Sequence, residues 1–263
     1  MRRVLIGISA VIAALVVVVG GVDFGTSVYA EYQLSRAVRR AADLGSDPFV
    51  AILGFPFIPQ ARRDHYNEVE IKAPAVAQPM IGKAMLEATM HSVDLTDATW
   101  RFRPGARIPV AKLESRIIIG SVYLGRYLGI RDLMVEAPPA ETNDATGGTT
   151  ESGVSSSHGL VFTGTPEGYG KRVSVAVDLS IAGADRSTLV ITPTGVLTGP
   201  DTADEDVPDD ERAAVLAAFH GSLPQQRLPF GLTPTSQGAR GSDVIIEGIA
   251  EDMTVTLPEF RQP

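Results

Sequence analysis

From Val4 to Val22 the chain reads VLIGISAVIAALVVVVGGV and carries no charge. At ~1.5 Å per residue a helix over this run is about 28 Å long, close to the hydrocarbon thickness of a bilayer. Arg2 and Arg3 precede it. By the positive-inside rule they stay in the cytoplasm, and everything beyond Val22 lies outside. A cleaved signal peptide is the competing reading, with Val28-Tyr29-Ala30 as the small-residue cleavage site. The run is longer than an ordinary signal core, and that site lies far from its end, which favours an uncleaved anchor. Residues 1–26 are therefore expected to be a signal anchor or signal peptide, and 27–263 a single exported domain.

A helix follows, from about Ser27 to Leu44. Ala30, Leu34, Ala37, Val38, Ala41 and Leu44 share one arc, and Arg36, Arg39, Arg40 and Asp43 the opposite one. Gly45 is the expected stop. The next apolar stretch, ILGFPFIPQ (52–60), carries two prolines and a glycine. Proline removes a donor and pushes its predecessor to extended backbone, so the stretch is expected to run as a ribbon with Phe55 and Phe57 on one face. That face meets either the core or a ligand.

Strands dominate the remainder. Val69, Ile71 and Ala73 alternate with Glu68, Glu70 and Lys72. Over 85–100, Leu86, Ala88 and Met90 keep one phase and Val93 and Leu95 the other, which predicts a β-bulge at His91-Ser92. Further strands are expected over 112–119, 131–137, 158–165, 171–181, 188–192 and 242–257. The most regular has Val173, Val175, Val177, Leu179 and Ile181 against smaller or polar residues. Ile117-Ile118-Ile119, Leu189-Val190-Ile191 and Val244-Ile245-Ile246 are apolar on both faces and need cover on both sides. Short helices are expected from Ser121, as a cap, to Gly129, and from about Pro208 to His220. Residues 138–157, PPAETNDATGGTTESGVSSS, are turn and linker residues and read as a flexible loop.

The chemistry of the chain is sparse. There is no cysteine, which excludes disulfides, thiolate nucleophiles and cysteine metal sites. The four histidines are far apart, with no metal-binding pattern, nucleophile elbow, phosphate loop or dinucleotide fingerprint. Ser157 and His158 are neighbours on a strand and point to opposite faces. The carboxylates of DTADEDVPDDER miss the calcium-loop spacing. No catalytic set, metal or cofactor is expected. A net charge of −8 argues against nucleic acid as a partner. Two basic clusters, Arg62-Arg63 and Arg101, Arg103 and Arg107 around Trp100, suit either solvated loop ends or anionic headgroups.

Gly54-Phe55-Pro56-Phe57, then Tyr66-Asn67-Glu68-Val69-Glu70-Ile71, then Arg227-Leu228-Pro229-Phe230-Gly231-Leu232-Thr233-Pro234-Thr235-Ser236 before a long strand, occur in this order behind an anchor and an amphipathic helix. Together they resemble the LmeA family of actinobacterial phospholipid-binding proteins over about residues 31–257. The resemblance implies an α+β fold like the tubular lipid-binding proteins, a long helix wrapped by a strongly curved antiparallel sheet around an apolar groove. It also implies phospholipid as ligand, the outer (periplasmic) side of the cell membrane as location, and a role in lipoglycan or mannan assembly with envelope glycan-assembly proteins as partners. The lipid-contacting residues expected on that fold are Leu34, Val38, Phe55, Phe57, Val69, Ile71, Met90, Val93, Phe162, Val175, Val177 and Ile246, with Arg62, Arg63, Arg101 and Arg103 at the headgroup. An envelope enzyme acting on lipid or glycan, and an anchored scaffold for other envelope proteins, are the alternatives.

Overall fold

The computed structural model describes residues 2–95, 105–137, 155–199, 202–203 and 206–261. It is α+β, with a long apolar N-terminal helix and two antiparallel sheets, one of them strongly curved. The helix, α1 (Arg2–Ala41), is continuous, so the apolar run and the amphipathic segment form one element. The first proline of the chain is Pro48, so nothing before it removes a helical donor. α1 ends three residues before Leu44, because Asp43 adopts left-handed backbone (φ 49°) ahead of the expected stop at Gly45.

The first sheet contains β1 (Phe49–Leu53), β2 (His65–Gln78), β3 (Gly82–Asp94), β4 (Ile108–Gly120), β10 (Ser236–Arg240) and β11 (Asp243–Val255), in the order β1-β2-β3-β4-β11-β10. The second contains β5 (Met134–Glu136), β6 (Leu160–Gly164), β7 (Val173–Ala182), β8 (Thr188–Leu197) and β9 (Gly221–Leu223), in sequence order. The chain divides into two compact units. One comprises Met1–Lys72, Thr89–Leu113 and Glu251–Phe260; the other comprises Ala73–Ala88, Glu114–Ala250 and Arg261–Pro263.

In the first unit β1 and β2 pair with Val50 opposite Ile71 and Ile52 opposite Val69. All four are buried, and α1 packs against β1 with Ala30, Leu34 and Val38 buried. Between the strands the ribbon expectation fails. Phe57–Ala61 forms a short helix, α2, with Pro56 as its N-cap residue. Pro59 is accommodated because the first turn of a helix has no intrahelical use for its N–H. The two phenylalanines consequently part: Phe57 is 5% exposed and Phe55 83%. In β3 the expected change of phase is present, with Met90 and Val93 both buried and Ser92 at φ 52° between them.

In the second unit Phe162 pairs with Val175 and Leu160 with Val177, all inaccessible to solvent. Two of the two-faced strands are covered on both sides, with Ile118 and Ile245 forming a separate small cluster with Met85, whereas Val190 between buried Leu189 and Ile191 is only half-buried. The helix α3 (Ser121–Leu128) is entered from Gly120 rather than capped by Ser121, and closes on left-handed Gly129 as expected. The last helix, α4 (Arg212–Phe219), starts four residues after Pro208. Most of the expected loop, residues 138–154, lies outside the described residues. Its end is packed: the Ser155 N–H donates to the Ala239 carbonyl (2.9 Å), and Ser155 Oγ accepts the Ala239 N–H (2.9 Å).

Candidate functional site

The side chains that α1, β1 and β2 bury in the first unit leave a narrow apolar cavity. Leu34, Val69, Met90 and Val93 line it, and strand and helix periodicity had placed each on an inner face. Ile52, Tyr66, Leu95, Ile108 and Leu257 complete the wall. The space free of atoms is about 340 Å³ including the mouth, and the cavity proper is about 20 Å³. That is room for about one water, but the lining is apolar, and such cavities stay dry. Tyr66 carries the polar atom of the wall, and burial, with Asp64 adding to it, pushes its phenol well above the ordinary range.

Polar residues hold the walls from behind. Asp23, Glu31 and Ser35 all reach from α1 to the backbone of residues 48–58. Asp23 Oδ2 and Oδ1 accept the Phe57 and Ile58 N–H groups, both at 2.8 Å, so a carboxylate of α1 caps α2. Glu31 accepts the Ile52 N–H (2.9 Å), and Ser35 donates to the Pro48 carbonyl (2.6 Å). Gln60 closes the turn between β1 and α2, donating to the Gly54 carbonyl (2.5 Å) and accepting the Asn67 N–H (2.9 Å). Gly54 is required there: φ is 106°, and a Cβ would stand 2.9 Å from both Asn67 Nδ2 and Gln60 Nε2. Phe57, held by this clamp, packs its ring 6.0 Å from that of Tyr66.

The other expected lipid contacts sit elsewhere. Val38 and Ile71 are buried beside the cavity residues on the same elements, without lining it. Phe162, Val175, Val177 and Ile246 belong to the interior of the second unit. Arg62 and Arg63 are exposed just after α2, while Arg101 and Arg103 lie outside the described residues. Nothing in the strand periodicity marks Asp23, Glu31 or Gln60. The available signal for Asp23 is a lone carboxylate immediately after an uncharged run, a costly position unless both oxygens find donors.

Among the described residues the second unit has a mixed cleft of about 160 Å³, lined by Ala77, Pro79 and Leu86 as well as Gln78, Gln225, Arg227 and Arg261, and a more polar one of about 180 Å³ around Asp185, Arg186, Gln226 and Arg227. The lining of the second suits ions and water rather than hydrocarbon. Among the described residues no group of histidines and carboxylates is placed to hold a metal. Ser92 Oγ lies 3.2 Å from His65 Nε2 on the solvent side of the β3 kink, away from the cavity lining.

The LmeA-like phospholipid-binding family model matches residues 21–249, a span that contains the Asp23 clamp and most of the cavity wall. No curated protein and no solved structure matches the chain.

Proposed function

The chain belongs to the LmeA-like phospholipid-binding family, and from that membership we propose that it is an exported, membrane-anchored protein that takes up one acyl chain of a phospholipid between α1 and β1–β3 of its first unit. The cavity lined by Leu34, Val69, Met90 and Val93 is the observation that carries this reading. Phe57, Val38 and Ile71 form the layer behind it, and Arg62 and Arg63 are the candidate headgroup contacts. The lipid so held supplies envelope assembly, with lipoglycan or mannan synthesis as the consuming process and its proteins as partners.

Size and energy together describe the binding step. A methylene fills roughly the volume of a water, on the order of 30 Å³, and the cavity holds about one water, so a chain of ~16 carbons needs room for about sixteen. Enclosing that chain yields roughly 12 kcal/mol gross at ~0.8 kcal/mol per methylene. That gain is enough to part a seam of aliphatic side chains, whose contacts the acyl chain replaces in kind.

The test is organic extraction of the purified full-length protein followed by mass spectrometry. One phospholipid per chain is expected, and Val93→Trp, which overfills the seam, is expected to remove it, with circular dichroism checking that the variant folds. Protein free of lipid in every preparation, including one incubated with phospholipid vesicles, would overturn the reading. Copurification of an envelope protein in place of lipid favours the scaffold, and release of a cleaved lipid favours an enzyme.

A further inference from the structure

Asp23 follows the apolar run directly, and the run ends at Val22. Its carboxylate is 4% exposed and is consumed by the amides of Phe57 and Ile58. The level of the helix at which the bilayer would end is therefore also the level to which the turn before α2 is pinned. Phe55 precedes Phe57 by two residues, so at ~3.3–3.6 Å per residue it lies within about 7 Å of the clamped amide. The interfacial zone on each side of a bilayer is about 5–8 Å deep. Phe55, at 83%, is more exposed than any other large apolar side chain among the described residues, and Phe24, next to the clamp, is 71% exposed. Tyr29 and Tyr32 are also exposed on α1.

We infer that the turn Gly54-Phe55-Pro56, together with Phe24, seats in the headgroup–acyl boundary of the membrane that the apolar run of α1 enters, and that α1 is kept through Asp23 in the working protein. The occupant is a lipid surface because the patch is covalently continuous with a bilayer-length apolar run, and because aromatic side chains favour that boundary. One observation speaks for retention of α1: cleavage after Ala30 would remove the acceptor of two N–H groups. The inference rests on the membrane-anchored carrier reading and adds where the carrier meets the bilayer. The cavity then lies beside the membrane: Leu34 is about 16 Å along α1 from Asp23 at ~1.5 Å per residue, within reach of a lipid tail entering from the interface.

The chain has no cysteine, so single Phe55→Cys, Phe24→Cys and Arg40→Cys variants of the full-length protein can each carry one environment-sensitive fluorophore. In phosphatidylcholine vesicles containing phosphatidylglycerol, dyes at positions 55 and 24 are expected to shift to the blue and to lose emission to spin-labelled lipid. The dye at Arg40, about 25 Å further along α1, stays water-like. Circular dichroism confirms folding of each variant, and intact mass reports whether Asp23 is present. Water-like emission at position 55 in folded, vesicle-bound protein overturns the inference, as does a mature chain beginning after Asp23, or a dye shielded by a second protein and insensitive to lipid quencher. Lipid extraction from the same purified variants, before they meet vesicles, separates the two readings. Bound phospholipid with an unquenched dye removes the docking inference alone, and a quenched dye without bound phospholipid removes the carrier reading alone.

Discussion

Phe57 donates its N–H to Asp23 Oδ2 at 2.8 Å, joining the base of the α1 domain segment to the turn beside the cavity. Asp23→Ala leaves two N–H groups at the start of α2 without their acceptor. Loss of an N-cap typically costs ~1 kcal/mol, and a buried donor left unsatisfied ~1–3 kcal/mol. Denaturant unfolding followed by circular dichroism should show a fall of that size. Asp23→Asn, which keeps one acceptor oxygen, should fall between. Identical midpoints for wild type and Asp23→Ala would mean that the clamp contributes nothing to stability.

In the second unit, burial works against the charge of Arg116, but its 2.5 Å bond to Glu247 and the carboxylate of Glu114 at 2.7 Å outweigh it and hold the guanidinium above its usual range. Glu247 is 2% exposed. Glu247→Leu removes one of the two carboxylates that Arg116 pairs with and leaves it Glu114, so the cost should lie below the ~3–5 kcal/mol of a buried pair broken outright. Replacing both, with Arg116→Met added, should recover most of that loss. A double variant as unstable as the sum of its two single variants would show that the two residues act independently.

Acid sensitivity has named sources. Burial opposes ionisation of Asp132, but the Thr165 N–H at 2.7 Å and hydroxyl at 3.0 Å outweigh it, with Arg172 assisting, and hold the carboxyl below the ordinary range. The Gly159 N–H and then His158 do the same for Asp178. A carboxyl depressed in the folded state stabilises above its unfolded value, about pH 4, and that contribution is lost as pH falls through the folded value. Melting temperature should therefore begin to fall below about pH 4. In Asp132→Asn/Asp178→Asn the neutral-pH melt should be lower and the acid limb shallower. An unchanged acid limb would place the lability in other carboxylates.

Much of the fold was legible because burial and periodicity coincide. Val69 and Ile71 in β2, the phase change at Ser92 and the alternation of β7 all follow from which side chains must leave water. Four of the cavity residues, Leu34, Val69, Met90 and Val93, were legible for the same reason. Leu257 and Ile108 were not, because their meeting with Leu34 is set by the tertiary path of the chain, which no local pattern encodes. The turn before α2 misled for a specific reason. Two prolines argue against a helix by propensity, yet a first turn tolerates proline, and the Asp23 carboxylate supplies a cap from a distant part of the chain. A long-range cap leaves no local trace. Phe55 and Phe57 were joined by sequence spacing and separated by that bond.

Met90 offers a test of whether the cavity is ordinary core or a lipid seat. It is buried in the wall, on the strand where the phase changes. Met90→Ala deletes packing atoms, and in lipid-free protein this should cost ~2–5 kcal/mol, as for other large-to-small core changes. If an acyl chain occupies the seam, its methylenes fill the space vacated, and the same substitution should cost much less in lipid-loaded protein. The difference between the two losses is the coupling between residue 90 and the ligand. Delipidated and phospholipid-saturated protein, each as wild type and Met90→Ala, complete the cycle by urea unfolding. Equal losses in both states would make Met90 plain core and move the acyl chain elsewhere. A clearly smaller loss with lipid bound sets the chain against β3, where Val93 completes the same wall.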